Sequence, residues 1–378
     1  MVVIFLMLFS LLAVYGSIST LAVKSGGSTR FLFKHALMLG LGFFLMYKLH
    51  VVKFKYFSRI AFLLFWPTVF LLLLTLIMGV NLNNASRWLN IPFINLSFQT
   101  SDLAKIVLVV YTARLLKIKQ DKLDQFSNGI WPVLWPAAII IVLILPANFS
   151  TAALLTITVF VMLFTGGVSL LQLLKVIGVG VAAIGLVFTI AMAKPDLFPR
   201  VETWKSRIVN FSGDKSEVFQ VEHAMAAIYN GGALPQMPGT GNARNYLPHP
   251  YSDMIYAYIV EEYGSILGGL GVLFLYVIFL SRSLRLSIKA EDPFAKSLVV
   301  GLSFMIVFQA FINMAVSVNL IPVTGQPMPL ISMGGTSTLF TSIAIGMILG
   351  VSTAVYTPEE IIAGNSSRST GGNVYAEA

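Results

Sequence analysis

Residues 239–264 read GTGNARNYLPHPYSDMIYAYIVEEYG. The stretch starts as a Gly- and Asn-rich loop, passes Pro248 and Pro250, and enters an apolar run at Ser252. Each proline keeps the residue before it extended. Ser252 is a good N-cap residue, and Asp253 then falls in the first helical turn, where a carboxylate suits the positive end of the helix dipole. Capping alone accounts for an ordinary Asp at such a place. Two features point further. The helix that begins here is apolar enough for a bilayer, and it carries Glu261 and Glu262, which are costly to bury. Acidic groups at the end of a membrane helix are functional candidates by default.

The rest of the chain supports that setting. Hydrophobic residues make up 57% of the 378 residues and charged residues 11%. A soluble globular chain has no use for so much apolar surface. Cysteine is absent, which excludes a disulfide framework and thiol or Cys-metal chemistry. The 4 His residues show no metal-ligand spacing. A net charge of +9 would suggest nucleic acid in a soluble protein. Here Lys/Arg clusters beside membrane helices explain it, so no nucleic-acid partner is expected.

Ten apolar spans are expected, at roughly 2–22, 32–47, 59–80, 101–117, 131–146, 150–165, 173–193, 253–281, 296–320 and 336–355. Each is near the ~20 residues that cross a bilayer as helix. The first lacks a basic n-region and a clean cleavage site, and reads as an uncleaved span. Basic clusters follow span two (Lys48, Lys53, Lys55, Arg59), span four (Arg114, Lys117, Lys119, Lys122) and span eight (Arg282, Arg285, Lys289, Lys296). All three fall on one side, which the positive-inside rule makes cytoplasmic, with both termini. The fold class is therefore all-α: a polytopic membrane domain over 1–356, with a large extracytoplasmic loop at 194–252 between helices 7 and 8. The polar tail 357–378 is expected to be disordered. The outer face collects 81–100, 146–150, 194–252 and 320–335, the parts richest in Asn, Pro, Gly and unpaired charge.

Four further stretches carry candidate chemistry. In Asn83–Lys105 (NNASRWLNIPFINLSFQTSDLAK), Asp102 and Lys105 are three apart and share a helix face. They suit either a salt bridge at a helix end or, through Lys105 and Arg87, the binding of phosphates. Pro146–Thr151 (PANFST) reads as a tight turn. Asn319–Ser337 (NLIPVTGQPMPLISMGGTS) holds too many Pro and Gly residues to continue a helix, and irregular backbone at membrane depth survives only when buried in protein or lining a water-filled cavity. A re-entrant loop beside Asp253 is expected. In the long loop, Arg207 and Arg244 could reach an anionic ligand, though a solvated or headgroup contact is the ordinary fate of either alone.

These stretches together resemble the SEDS family (shape, elongation, division and sporulation; FtsW/RodA/SpoVE type) over nearly the whole chain. The signature residues are Leu247-Pro248, Ser252-Asp253, Glu261-Glu262 and Gly264. Also similar are Arg87-Trp88, Gln99, Ser101, Asp102 and Lys105, and the run Pro322, Thr324, Gly325, Pro327, Pro329, Ser332, Gly334 and Gly335. Arg207, Gln220, Gly231 and Gly232 match at comparable places in the long loop. Departures are His249 for a common Glu, Tyr251 for a common His, Asp102 for the usual Glu, Thr336 for a Ser, and Asn148 and Ser150 where many members carry an acid and a Gly. The 241–253 form resembles the division branch more than the elongation branch.

The resemblance implies a peptidoglycan glycosyltransferase that polymerises lipid II on the outer face of the bacterial cytoplasmic membrane, at the division septum. Asp253 is the implied general base. Arg87, Lys105, Asp102, Gln99, Arg207, Gln220, Arg244 and Ser332 are the implied substrate contacts. A divalent cation (Mg or Mn) could assist the pyrophosphate, but no dedicated metal cage is visible. Implied partners are a class B penicillin-binding protein (a transpeptidase), other divisome proteins and membrane lipids. Alternatives are a lipid II flippase, an elongation-type polymerase and a non-catalytic scaffold for septal partners.

Overall fold

A backbone in hydrocarbon must satisfy its hydrogen bonds within its own segment, so apolar runs become helices. The computed structural model describes residues 1–17, 28–78, 80–82, 85–91, 96–193, 218–236, 239, 241 and 251–356. Within these, every expected span is helical: α1 Val2–Ser17, α2 Ser28–Leu49, α3 Lys55–Met78, α4 Thr100–Ile118, α5 Trp131–Ile144, α6 Phe149–Thr165 and α7 Leu170–Ala193. After the long loop come α9 Ile255–Tyr263, a π-helical stretch Gly264–Gly271, α10 Val272–Lys289, α11 Pro293–Ser317 and α12 Thr336–Val355. The tail 357–378 lies outside the described residues.

Among the described residues, 6 helical stretches are long and apolar enough to cross a membrane. Span eight is one of them, the continuous Ile255–Lys289. α4 is not, because Asp102, Lys105, Arg114 and Lys117 lie along it. It is instead the bundle's interior helix, buried from Ala104 through Val110. α3 shows the inverted pattern of a membrane protein: Phe62, Leu63, Trp66, Phe70 and Ile77 are exposed, while Thr68 and Thr75 are buried.

Two elements form where the sequence leads one to expect loops. Residues expected as an outer loop form an antiparallel sheet of β1 Val80–Leu82, β2 Ala85–Ile91 and β3 Leu96–Gln99, in the order β1-β2-β3. Pairing Trp88 with Gln99 satisfies backbone groups that no helix would satisfy there. A further helix, α8 Val218–Gly231, lies within the long loop and packs its Ala224 and Ala227 against Met254, Ala257 and Tyr258. Gly264 makes the neighbouring contact possible. Its φ is 70°, and a Cβ there would lie 2.7 Å from the Ala233 carbonyl oxygen. Only glycine tolerates both.

α2 and α12 run parallel and in register. A Cβ on Gly42 would lie 2.4 Å from Ser342 Oγ, and one on Gly346 would lie 2.9 Å from Leu49 Cβ. The three basic clusters gather at the far ends of these helices. Arg114 Nη1 donates to Ser58 Oγ at 2.8 Å, Lys117 pairs with Asp292 at 2.7 Å, and Thr353 Oγ1 donates to the His50 carbonyl at 3.0 Å. Lys34 and Lys48, near opposite ends of α2, are about 21 Å apart along the axis at 1.5 Å per residue.

Asp292 also caps α11, its Oδ1 accepting from the Phe294 amide at 2.8 Å ahead of Pro293 at the first helical position. Burial by itself would raise this carboxyl; the Lys117 hydrogen bond, the Phe294 amide and the Lys117 charge outweigh it and hold the group below the ordinary carboxylate range. A depressed folded-state pKa gives stability that is present above the unfolded pKa and lost as pH falls through the folded one. Asp292→Ala should therefore lower thermal stability at neutral pH by the ~0.5–2 kcal/mol of a lost cap, with little from the half-exposed Lys117 pair. In detergent melts the gap to wild type should close as pH falls below about 4. A gap that persists in acid contradicts the assignment.

Candidate active site

The turn Tyr251–Met254 is held by three successive carbonyls. Tyr251 O accepts from the Met333 amide at 3.0 Å, Ser252 O from Ser332 Oγ at 2.6 Å, and Asp253 O from Asn313 Nδ2 at 2.8 Å. This changes the capping expected from sequence. The N-cap of α9 is Met254, with no side-chain cap, so Ser252 and Asp253 precede the helix rather than open it. Carbonyls captured by α11 and by the 318–335 loop delay the first turn. Asp253 is half-buried beside Tyr251. Burial, and then the Asp253 carboxylate, push the Tyr251 phenol above its ordinary range.

The loop after α11 is exposed at Val318–Leu320 and then buried or half-buried in protein from Ile321 to Gly335, as irregular backbone at membrane depth requires. Gln309 Nε2 donates to the Pro327 carbonyl at 2.8 Å, and Asn313 Nδ2 to the Gln326 carbonyl at 2.9 Å. Gln326 Nε2 reaches Thr151 Oγ1 at 2.8 Å. The Tyr276 hydroxyl donates to the Pro329 carbonyl. Leu330, with φ 64°, sits in a region that a branched side chain rarely adopts. The expected turn at Pro146–Thr151 is present, with Asn148 Oδ1 capping α6 through the Thr151 amide at 3.2 Å.

These pieces enclose a cavity of about 330 Å³. Its walls are Lys34, His35 and Met38 of α2, Trp88 and Gln99 of the sheet, Asp102 of α4, Asn148, Ser252, and the loop at Gly325–Pro327 and Met333–Ser337. His35 is fixed by Ser10: its Nε2 lies 2.8 Å from Ser10 Oγ, which itself donates to the Ile331 carbonyl at 2.8 Å. With the Ser10 hydroxyl donating to Ile331, the His35 tautomer that fits is the one with Nε2 as donor to Ser10.

The expected site residues fall into distinct roles. Asp102 and Lys105 pair at 2.8 Å with their side chains 3% and 9% exposed. Lys105 Nζ also donates to Gln309 Oε1 at 3.2 Å. Asp102 lines the cavity, and its Oδ2 has no partner among the described residues. Gln99 lines it too, with Nε2 on Ser101 Oγ at 2.9 Å. Ser332 is buried and engaged twice, accepting from the Met328 amide and donating to Ser252 O, which makes it a clamp on the Asp253 turn. Gln220 sits half-buried on α8 and is not one of the residues that line the cavity. The backbone of Arg87 belongs to β2, but its side chain, with Arg207 and Arg244, lies outside the described residues. Glu261 and Glu262 are buried inside the protein. Glu262 Oε1 accepts from the Tyr258 hydroxyl and from the Gly239 amide, which ties the long loop to α9. Among the described residues no group of three or more His, Asp or Glu side chains could hold a metal ion.

Sequence reasoning missed Lys34, His35, Gln309 and Asn313. The signal was present in each case: a polar residue that interrupts an apolar span faces protein or a water-filled cavity. Gln309 and Asn313, four apart on α11, share the face that carries the loop.

The chain matches the family profile described as "Cell cycle protein" (FTSW_RODA_SPOVE) over residues 1–357. It is 32% identical over 363 residues to the "Probable peptidoglycan glycosyltransferase FtsW" of Geobacter sp. (strain M18), covering 93% of this chain and 95% of that one. Its fold is similar to a chain in the structure titled "Structural coordination of polymerization and crosslinking by a peptidoglycan synthase complex", with TM-score 0.74, 24% identity, and 94% and 98% of the two chains covered. It is also similar to the rod shape determining protein RodA of Thermus thermophilus, with TM-score 0.66, 22% identity, and 94% and 97% covered.

Proposed function

The chain belongs to the FtsW/RodA/SpoVE family of cell cycle proteins, and from that premise we propose that it is a peptidoglycan glycosyltransferase that polymerises lipid II in septal wall synthesis. The observation that carries the reading is the polar cavity itself. It lies inside an apolar multi-pass bundle, and it brings a carboxylate, a lysine, a histidine and the anchored Asp253 turn together at one end. Lipid II presents two demands there. Its diphosphate leaving group needs cations and hydrogen-bond donors, and the acceptor sugar hydroxyl needs a base within reach.

In this mechanism Asp253 takes the proton of the acceptor hydroxyl. The hydroxyl oxygen then attacks the anomeric carbon of the donor, and the bond to the diphosphate breaks. A single displacement inverts the anomeric centre, which converts an α-linked donor into a β-linked glycan. Asn313 holds the Asp253 carbonyl, and Ser332 and the Met333 amide hold those of Ser252 and Tyr251, so the turn that carries the base is positioned before substrate arrives. Purified protein supplied with labelled lipid II tests the reading: glycan strands support it. Translocation in liposomes without polymer supports a flippase instead, and neither activity supports a scaffold.

The same reading places the cavity on the outer face and the basic ends of α2, α4 and α10 in the cytoplasm. A class B transpeptidase is the proposed partner, and it would cross-link the strands as they emerge. Single Cys residues can be introduced freely in a chain that has none. An impermeant thiol reagent should label Lys215→Cys in intact cells and Gln120→Cys only after lysis. The reverse pattern inverts the topology and contradicts an outward-facing site.

A further inference from the structure

α12 begins at Thr336 with Gly335 as its N-cap, and no side chain caps it. The first amides of a helix have no intrahelical acceptor. Here the Ser337 amide is taken by the Gly334 carbonyl at 3.1 Å, so the turn Gly334–Ser337 is fixed. The capping residue is a glycine with φ 54°, and nothing lies within 4 Å of where its Cβ would stand. The helix therefore starts bare, against the cavity wall.

A second feature at this spot asks for a ligand. Thr336 is 5% exposed, lines the cavity, and its Oγ1 has no partner among the described residues. A buried hydroxyl without a partner costs free energy that a bound acceptor recovers. Opposite stands Lys34. It is the only Lys or Arg among the described residues that line the cavity, and it makes no hydrogen bond or ion pair with a described residue. The parallel register of α2 and α12, Gly42 beside Ser342, sets Lys34 level with Gly334–Gly335. Lys34 is exposed at the edge of the cavity, near the end of its helix, so its charge is free to meet a ligand there. Lys105, one of the cations expected from sequence to hold phosphate, is already committed to Asp102 and Gln309.

We infer that Lys34 and the N-terminus of α12, with the Thr336 hydroxyl, form the site that holds the diphosphate of the polyprenyl-linked donor. This rests on the polymerase reading and gives the cavity a polarity. The anion sits at the Lys34–Thr336 end, where a point charge, a hydroxyl donor and helix amides converge. The carboxylates Asp102 and Asp253 are left to the acceptor sugar.

The test is equilibrium binding of fluorescent undecaprenyl diphosphate to the purified full-length protein in detergent, with lipid II polymerisation measured beside it. Lys34→Gln should weaken binding by ~10–100-fold, the range for a lost charge-assisted hydrogen bond. Thr336→Val keeps the shape and should weaken it by ~2–10-fold. Lys34→Arg should hold affinity within a few-fold, while Lys48→Gln, at the other end of α2, should match wild type. In polymerisation, Lys34→Gln should raise KM more than it lowers kcat, because the diphosphate charge is present in both ground and transition states. Wild-type affinity in Lys34→Gln overturns the inference. So does equal displacement of the probe by phosphatidylglycerol, which would mean a general headgroup contact. If wild type polymerises and Lys34→Gln binds normally, the anion site falls alone. If the probe binds in a Lys34-dependent way but no glycan forms, the anion site stands and the polymerase reading falls.

Discussion

Lys105→Met should unfold at a markedly lower temperature than wild type, with a loss of ~3–5 kcal/mol, because it leaves Asp102 charged, buried and unpaired. Both side chains of this pair are less than a tenth exposed, so little solvent screening softens the loss. The Gln309 bridge fails with it, and Gln309 is one of the anchors of the 318–335 loop. The double variant Asp102→Asn, Lys105→Met removes both charges and should recover most of that stability, since neutral replacements of buried pairs are often tolerated. Activity should not return. Asp102 lines the cavity, its Oδ2 has no partner among the described residues, and an Asn presents one acceptor oxygen where the carboxylate has two. Thermal melts and polymerisation rates of the three proteins separate the roles. A double variant that is stable and polymerises at the wild-type rate would show the pair to be a scaffold alone.

Most of the architecture was legible because hydrocarbon leaves the chain few choices. Apolar runs had to be helices, and the Pro- and Gly-rich 319–337 run had to be a buried loop. The local rules failed where distant parts of the chain decide. Ser252-Asp253 reads as a helix start, yet Asn313, Ser332 and Met333 take the carbonyls of the turn, and no local pattern shows that. The sheet at Val80–Gln99 was hidden by its short strands, and α8 by its place in a long polar loop. Glu261 and Glu262 read as acids costly to bury on a membrane helix. The structure buries both, and Glu262 spends an oxygen on Tyr258 and Gly239. Lys34 escaped notice because a lysine near a helix end ordinarily snorkels. Its meaning depends on the packing of α12 beside it.

Asp253→Asn is expected to have the largest catalytic effect. The turn is anchored through backbone carbonyls, and those anchors survive a change of side chain. Asn keeps the volume and loses the charge. Asp253 precedes the helix instead of opening it, so the dipole contribution at stake is at most the ~0.3–1 kcal/mol of a first-turn carboxylate. Stability should hardly move. Polymerisation should fall by the ~10²–10⁴-fold typical of a lost general base. Asp253→Glu keeps a base but shifts it by a methylene from a fixed backbone, and should retain a trace. Glu262 is not a substitute, because its carboxylate is buried and engaged with the long loop.

The most direct measurement takes purified Asp253→Asn and wild-type protein side by side. It records lipid II binding and glycan formation from the same preparations. Equal binding, with strands from wild type and none from Asp253→Asn, is the predicted result. Strands formed by Asp253→Asn at the wild-type rate would contradict the assignment of Asp253 as the base.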